Sequence, residues 1–226
     1  MKGQLNSILS LLSLVFLVSC GTSAIYLQGF SVPDTSEGVA LLSPVSCIYY
    51  IDAKGTESYD DSLSLVSEVM MASLIEEQKL PISSTLPLDS IQKEESIAFM
   101  QYLFANKPVE LTVAPIPSVL DSLLETNNQR YGLLIYTEGM TRNRKQYAKD
   151  LAASTAFGIL LAVATMGAFY TYNYSMLYAA GVNVAILDSE YDRVVFYNKI
   201  PVDEANPLSE KHMGKYIKRL FKDFNK

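Results

Sequence analysis

The residues that could support nucleophilic or metal chemistry are few, because the sequence contains two cysteines and one histidine. A Ser-His-Asp site would need His212, which lies among lysines and is predicted to face solvent on a basic helix. No His, Cys and carboxylate residues follow the spacing of a metal site, so no metal is expected. The carboxylates Glu138, Asp150 and Asp188 are scattered and are predicted to lie at turns or strand ends. These residues favour a protein that is not an enzyme.

Cys20 ends a segment that is typical of a bacterial export signal. Lys2 provides a positive charge, and residues 8–18 form an apolar run shorter than the roughly 20 residues that a membrane-spanning helix needs. Residues 17–21, Leu-Val-Ser-Cys-Gly, resemble the bacterial lipobox. The resemblance implies that residues 1–19 are a cleaved signal peptide and that Cys20 carries lipid with acyl chains such as palmitate. Two or more acyl chains anchor a protein stably in a membrane. An ordinary secretory signal that ends near a cysteine is the alternative.

The composition supports a folded, acidic domain. Hydrophobic residues make up 49% of the chain, which is enough to build a core and excludes global disorder. The net charge of −6 argues against a nucleic-acid partner, which would require a basic surface. After lipidation of Cys20 one cysteine remains, so no intramolecular disulfide can form. That residue, Cys47, is predicted to be a small buried side chain, and the sequence carries no cofactor signature.

The chain after the signal is predicted to contain a lipidated tether, residues 20–37, and one α/β domain, residues 38–226. Residues 24–30 are expected to add a short edge strand. Further strand patterns occur at residues 39–42 and 45–51, with a kink at Pro44, at residues 131–137, and in a hairpin of residues 182–187 and 194–197. The run at 131–137 is apolar throughout, as expected of a strand covered on both faces.

Helix patterns occupy the intervals between these strands. The first is predicted over residues 61–79, with an inward stripe of Leu63, Val66, Met70 and Leu74. A capping box at residues 89–92 begins the second, with Ile97, Met100 and Phe104 on one face. A short third helix starts at Pro117, with Leu120, Leu123 and Leu124 inward.

The closing helix is expected to be capped at Asn206-Pro207 and to place Met213, Ile217, Leu220 and Phe224 on one stripe. The order of elements predicts an α/β fold: a mixed β-sheet flanked by helices, with a late antiparallel hairpin and a C-terminal amphipathic helix.

Residues 151–187 contain no Asp, Glu, Lys or Arg. Residues 151–170 form a helix-length apolar segment that follows four basic residues, and its alanines and threonines favour a buried helix over one inserted in a membrane or lining a pore. The region 151–178 is therefore predicted to be an apolar excursion from the domain. Its candidate membrane or partner contacts are Phe157, Leu160, Leu161, Phe169, Tyr170 and Tyr172.

These motifs resemble a group of small Bacteroides-type lipoproteins. The resemblance is carried by the lipobox, the strand end at 41–44, the strand at 131–137, the uncharged segment, the strands at 184–189 and 195–199, and Asn206-Pro207 before a basic helix. More distantly, the order of elements is similar to the α/β sandwich of the curli secretion channel lipoprotein and of the lipoprotein activators of peptidoglycan synthases. Ser43-Pro44 and the extra helices at 90–127 depart from that pattern. The distant resemblance implies envelope complexes without catalysis.

The leading hypothesis is a non-catalytic lipoprotein of the bacterial outer membrane that faces the periplasm and binds or scaffolds envelope components. The resemblance to Bacteroides-type lipoproteins implies that surface export requires an acidic stretch near the lipidated cysteine. Residues 21–24 contain no acidic residue, so the domain is expected to face the periplasm. The partners expected are the membrane, through Cys20, an unidentified envelope protein, and a second copy of the chain. The alternative is a subunit of an oligomeric outer-membrane channel or secretion complex that uses residues 151–178. An envelope hydrolase is the third and least favoured class.

Overall fold

A mixed eight-stranded sheet organises the chain in the computed structural model, which describes residues 24–26, 38–78, 80–106, 114–164 and 176–222. Its strands are β1 Ile25–Tyr26, β2 Val39–Leu42, β3 Val45–Ile51, β4 Glu57–Tyr59, β5 Ile82–Leu86, β6 Tyr131–Arg142, β7 Tyr178–Asp188 and β8 Arg193–Asp203. The helices in the described residues are α1 Asp61–Glu76, α2 Ser90–Ala105, α3 Ser118–Thr126, α4 Arg144–Ala164 and α5 Glu210–Leu220. The predicted fold class is confirmed.

Strand β6 lies at the centre of the sheet, with antiparallel β7, β8 and β1 following on one side. On its other side β6 pairs with two parallel strands in turn, first β2 at Gly132 and Leu133 and then β3 from Tyr136 to Arg142. The predicted kink at Pro44 therefore divides one line of chain into β2 and β3. The predicted hairpin of β7 and β8 and the short edge strand β1 are also confirmed.

Both faces of β6 are buried, which explains its continuous apolar run. Leu134 and Tyr136 pack in the core that α2 and α3 cover. Leu133 and Ile135 pack in the opposite core, which α1 and α5 cover. Successive side chains of a strand point to opposite faces, so one apolar segment supplies both cores.

The closing helix departs from its prediction at its beginning. Helix α5 starts at Glu210, with Ser209 at the N-cap position, rather than at Asn206-Pro207. Asn206 instead forms a turn, because its side-chain oxygen accepts from the Leu208 N–H at 3.0 Å and its carbonyl accepts from the Ser209 N–H at 3.1 Å. The stripe of Met213, Ile217 and Leu220 is buried as predicted, and Phe224 lies outside the described residues.

His212 is half-buried rather than fully exposed. Its Nδ1 accepts a hydrogen bond from the backbone N–H of Asn206 at 3.3 Å, which ties the first turn of α5 to the preceding turn. The histidine therefore has a structural role at the start of the helix.

Candidate functional site

The first turns of helix α1 have the polarity of their two faces reversed, whereas its later turns bury Met71, Leu74 and Ile75 in the core. It buries Ser64 and Ser67, which are 2% and 0% exposed. It leaves Leu65, Val66 and Val69 on the surface, with 58%, 54% and 65% of each residue exposed. The predicted inward stripe is therefore wrong at Val66, half-buried at Leu63 and Met70, and buried at Leu74. Exposed large apolar side chains beside buried serines are unusual in a soluble fold and call for an explanation.

The outer edge of β3 explains why the serines face inward. Among the described strands, β4 pairs with β3 at residues 49–51 and β5 pairs with β2, so neither covers the edge at Ser46 and Ile48. Side chains of α1 take the place of a strand there. The Ile48 N–H donates to Ser64 Oγ at 3.0 Å, and the Ser46 N–H donates to Glu68 Oε1 at 3.3 Å. The helix thus satisfies a sheet edge that would otherwise be open.

Two further contacts fix how α1 lies along this edge. The Ser46 hydroxyl donates to Ser67 Oγ at 3.0 Å inside the protein. Asp60 caps the helix by accepting from the Leu63 N–H at 3.0 Å, while its own N–H donates to the Ile48 carbonyl at 2.9 Å. Because the serine side of α1 must face β3, the helical turn carries Leu65, Val66 and Val69 outward.

A groove of about 580 Å³ lies along the same edge of β3, between α1 and α2, and we call it the edge groove. It is lined by Ser46, Cys47, Tyr49, Tyr59, Asp61, Ser64, Leu65, Glu68, Ser90, Lys93, Glu94, Ile97, Ala98 and Gln101. An ion pair joins the two helices within it, with Lys93 Nζ 2.8 Å from Glu68 Oε2. The volume is typical of ligand pockets in proteins.

Two tyrosines face each other at one end of the edge groove. Tyr49 of β3 and Tyr59 of β4 are direct partners in the strand register. Their ring centroids lie 6.2 Å apart at an interplanar angle of 73°, an edge-to-face arrangement that leaves both rings partly exposed. The pKa of Tyr49 is raised, first by its hydrogen bond with the Cys47 side chain and then by the charge of Cys47 and by burial. The phenol is therefore neutral at ordinary pH.

The edge groove is acidic. Three carboxylates line it, those of Asp61, Glu68 and Glu94, against the single ammonium group of Lys93. Cys47 is buried at its floor, as predicted for a small apolar side chain. Such a set of groups is suited to noncovalent recognition. In the part of the chain that the structure describes, no group of three or more His, Cys, Asp or Glu side chains could hold a metal ion.

The carboxylates considered in the sequence do not converge. Glu138 lies inside β6 and Asp150 lies inside α4, so their prediction as turn or strand-end residues is wrong, whereas Asp188 does end β7. Asp188 pairs in register with Tyr131, seven residues from Glu138 on the same strand, which separates the two backbone positions by about 23 Å along the sheet. Asp188 binds Arg130 through two hydrogen bonds of 3.0 and 3.2 Å.

The residues that the sequence singled out for lipid, membrane or partner contact are placed only in part. Phe157, Leu160 and Leu161 lie within α4, while Cys20, Phe169, Tyr170 and Tyr172 lie outside the described residues. The excursion leaves and rejoins the sheet at one corner, where the Arg142 N–H donates to the Leu177 carbonyl at 3.0 Å.

The predicted burial of residues 151–170 fails at the first five of them, and the side chains of residues 156–170 lie outside the described part of the structure. Residues 151–155 of α4 are half-buried or exposed. Their hydroxyl groups are satisfied within the helix, since Ser154 and Thr155 donate to the Leu151 carbonyl at 3.1 and 2.7 Å. Within the described ranges, no helix combines the length and the apolar character that crossing a membrane requires.

The edge groove could not be recognised from the sequence. Its lining comes from two strands and two helices spread from Ser46 to Gln101, and no short motif connects them. The sequence carried one signal. Ser64 and Ser67 of α1 are spaced as residues on one helix face, where a helix that packs on the core would carry apolar residues.

Comparison with known proteins finds a likeness of fold alone. The sequence matches no known family and no curated protein. Among solved structures, the chain is similar to the PelC dodecamer from Paraburkholderia phytofirmans, with 10% identity, a TM-score of 0.40, and coverage of 88% of this chain and 96% of that chain. It is also similar to a lipoprotein from Neisseria meningitidis, with 7% identity, a TM-score of 0.33, and coverage of 84% and 96%.

A third similar structure is the C-terminal domain of LpoB from Salmonella enterica, with 6% identity, a TM-score of 0.29, and coverage of 78% of this chain and 87% of that chain. These likenesses agree with the distant resemblance to α/β folds of lipoproteins that the sequence displays. All three TM-scores lie below 0.5.

Proposed function

We propose that this chain is a lipid-anchored, non-catalytic protein of the bacterial envelope that binds another envelope protein through the exposed face of α1. The observation that carries the proposal is the reversed helix, which presents Leu65, Val66 and Val69 to solvent. These residues occupy neighbouring positions of one helix face, and a contiguous exposed apolar face marks an interaction surface. The lipobox at Cys20 supplies the anchor, and the domain faces the periplasm from the outer membrane.

The exposed side chains provide a useful part of a binding free energy. Fully burying an aliphatic side chain contributes roughly 1.5–3 kcal/mol, and more than half of each of the three residues is exposed. A partner that covers all three would gain about 3–5 kcal/mol from them. That gain corresponds to about two to three and a half orders of magnitude in affinity, so further contacts must accompany it in a specific complex.

Site-specific photo-crosslinking in living cells tests this proposal. A photoreactive amino acid at Val69 should give a discrete heavier adduct, and Val66→Lys in the same chain should abolish it. Val202, an exposed valine of β8 on a different part of the surface, is the matched control position and should give no adduct. Equal adducts from positions 69 and 202, or none from 69, would overturn the proposal. An adduct of twice the mass of the chain would identify self-association instead.

A second candidate function is a subunit of an oligomeric channel or secretion complex that uses the excursion 151–178. Two observations favour it: the excursion leaves and returns at one corner of the sheet, and residues 151–155 are not buried. Helix α4 has 21 residues and is therefore about 32 Å long, enough to project beyond the domain.

Leu160→Asp separates this function from a core role of the segment. If the excursion contacts other subunits, the variant should keep the melting temperature of the wild type and lose the large complex on native electrophoresis of detergent-solubilised membranes. A melting temperature lowered by many degrees would place the residue in the core and remove the channel function from consideration.

A further inference from the structure

We propose that the edge groove binds the cationic side chain of a lysine or arginine, presented by an apolar-flanked segment of the partner protein. The inference rests on the proposed function, because Leu65 belongs both to the groove lining and to the exposed face of α1. A partner seated on that face would therefore reach the groove without a gap.

Charge is the first argument. Lys93 is held by Glu68 at 2.8 Å, so this ion pair neutralises the single cation of the groove. Two carboxylates remain, those of Asp61 and Glu94, and both residues are exposed where the groove opens to solvent. A cation entering the groove meets two negative charges that form no ion pair with a described residue, whereas a phosphate or carboxylate would be repelled by them.

The tyrosine pair is the second argument. Tyr49 and Tyr59 lie edge to face, with centroids 6.2 Å apart, and line the same groove as the carboxylates. A perpendicular pair offers a ring face beside a ring edge, and a cation within about 6 Å of a ring centroid is attracted by its π electrons. This chain already makes such contacts elsewhere, since the guanidinium of Arg193 lies 4.7 Å from the ring centroid of Tyr191.

The edge of β3 also determines how the groove can recognise the segment of the partner protein. The backbone N–H groups of Ser46 and Ile48 already donate to Glu68 and Ser64, so a partner strand could not pair with them. The walls of the groove include Leu65, Ile97 and Ala98, which suit the methylene stem of a long cationic side chain. Recognition by one inserted side chain fits these contacts better than the addition of a β-strand.

Binding of matched peptides to the full chain in detergent micelles tests the inference. The probes are three capped pentapeptides, Gly-Leu-Lys-Leu-Gly and the same sequence with Gln or Glu at the centre, titrated by calorimetry at low salt. We expect the Lys peptide to bind at least tenfold more tightly than the Gln peptide, and the Glu peptide to bind most weakly. Glu94→Lys should weaken the Lys peptide by about tenfold, because one attraction becomes a repulsion.

Glu95→Lys is the matched control, since Glu95 is an exposed neighbour on α2 that does not line the groove. It makes the same change in net charge and should alter binding by less than about twofold, while Tyr59→Leu should weaken the Lys peptide without changing the order of the three. Equal binding of the Lys and Gln peptides, preference for Glu, or equal loss in the Glu94 and Glu95 variants would overturn the inference.

The two proposals fail in different ways. If the three peptides bind with equal affinity while the crosslink from position 69 persists, the face of α1 binds a partner and the groove does not select a cation. If the peptides are distinguished and the crosslink is absent, the groove binds cations and the proposed partner face is wrong.

Discussion

The reversed orientation of the first turns of α1 predicts an unusual order of mutational effects. Replacing an outward apolar residue should leave the stability of the fold unchanged, whereas replacing an inward serine should lower it. Ser64→Ala removes the acceptor of the Ile48 N–H, a bond of 3.0 Å at a site that is 2% exposed. Leaving a buried donor without a partner costs about 1–3 kcal/mol. Alanine is a better helix former than serine by about 0.5 kcal/mol, so the expected net loss is roughly 0.5–2.5 kcal/mol.

Leu65→Gln is the matched comparison, one residue further along the same helix. Leucine and glutamine have similar helix propensities, and Leu65 is 58% exposed, so the change should stay within about 0.5 kcal/mol. For a domain of this size, 1 kcal/mol shifts the melting temperature by about 2–4 °C.

The assay is thermal unfolding of the full chain in detergent, followed by circular dichroism. Ser64→Ala should lower the melting temperature by about 1–10 °C, and Leu65→Gln should leave it within about 2 °C of the wild type. If Leu65→Gln is the more damaging of the two, α1 faces the other way, and both the reversed helix and the partner face derived from it are wrong.

Three further predictions concern separate parts of the chain. Burial raises the pKa of Glu138, and the charge of Lys199 opposes this effect. Ionisation of the carboxyl therefore destabilises the fold as the pH rises above about 4.3, the pKa of a glutamate in the unfolded chain. Glu138→Gln should therefore melt higher than the wild type at pH 7, and the gap should close as the pH falls to about 4; a gap independent of pH would contradict this. Cys20→Ala should lose labelling by a fatty-acid analogue, and equal labelling of both proteins would refute the lipid anchor. Protease added to intact cells should spare the domain, and ready digestion would place it on the cell surface instead.

Elements that depend on their own local pattern are the ones that the sequence predicts well. The run at 131–137 is apolar at every position, and β6 is indeed covered on both faces. The capping box of α2 is formed as expected, with the Asp89 side chain accepting from the Gln92 N–H and the Gln92 side chain accepting from the Asp89 N–H. In both cases the pattern that predicts the element lies within a few neighbouring positions, so it can be recognised without knowing the distant contacts that the element makes.

The two short strands at the edges of β3 and β2 do not follow from the sequence pattern. Strands β4 and β5 are 3 and 5 residues long, and they exist because they add to the edges of β3 and β2. Their sequences carry little apolar alternation, so propensity alone could not reveal them. The first turns of α1 also face differently from their prediction, because the open edge of β3, and not the pattern of the helix itself, sets which side turns inward.

The structural role of α1 and its proposed role in binding are physically coupled. A conventional amphipathic helix at this place would bury leucine and valine against β3 and leave the N–H groups of Ser46 and Ile48 without acceptors. The present helix satisfies them with Ser64 and Glu68, and the helical repeat then exposes Leu65, Val66 and Val69 in its first turns. Glu68 contributes to both the structural role and the proposed binding role. One of its carboxylate oxygens accepts from the Ser46 N–H at the sheet edge, and the other pairs with Lys93 in the edge groove. A change that buried the apolar face would therefore leave the sheet edge without its hydrogen-bond partners. For this reason the domain can be folded in the absence of a partner and still keep an apolar surface exposed for one.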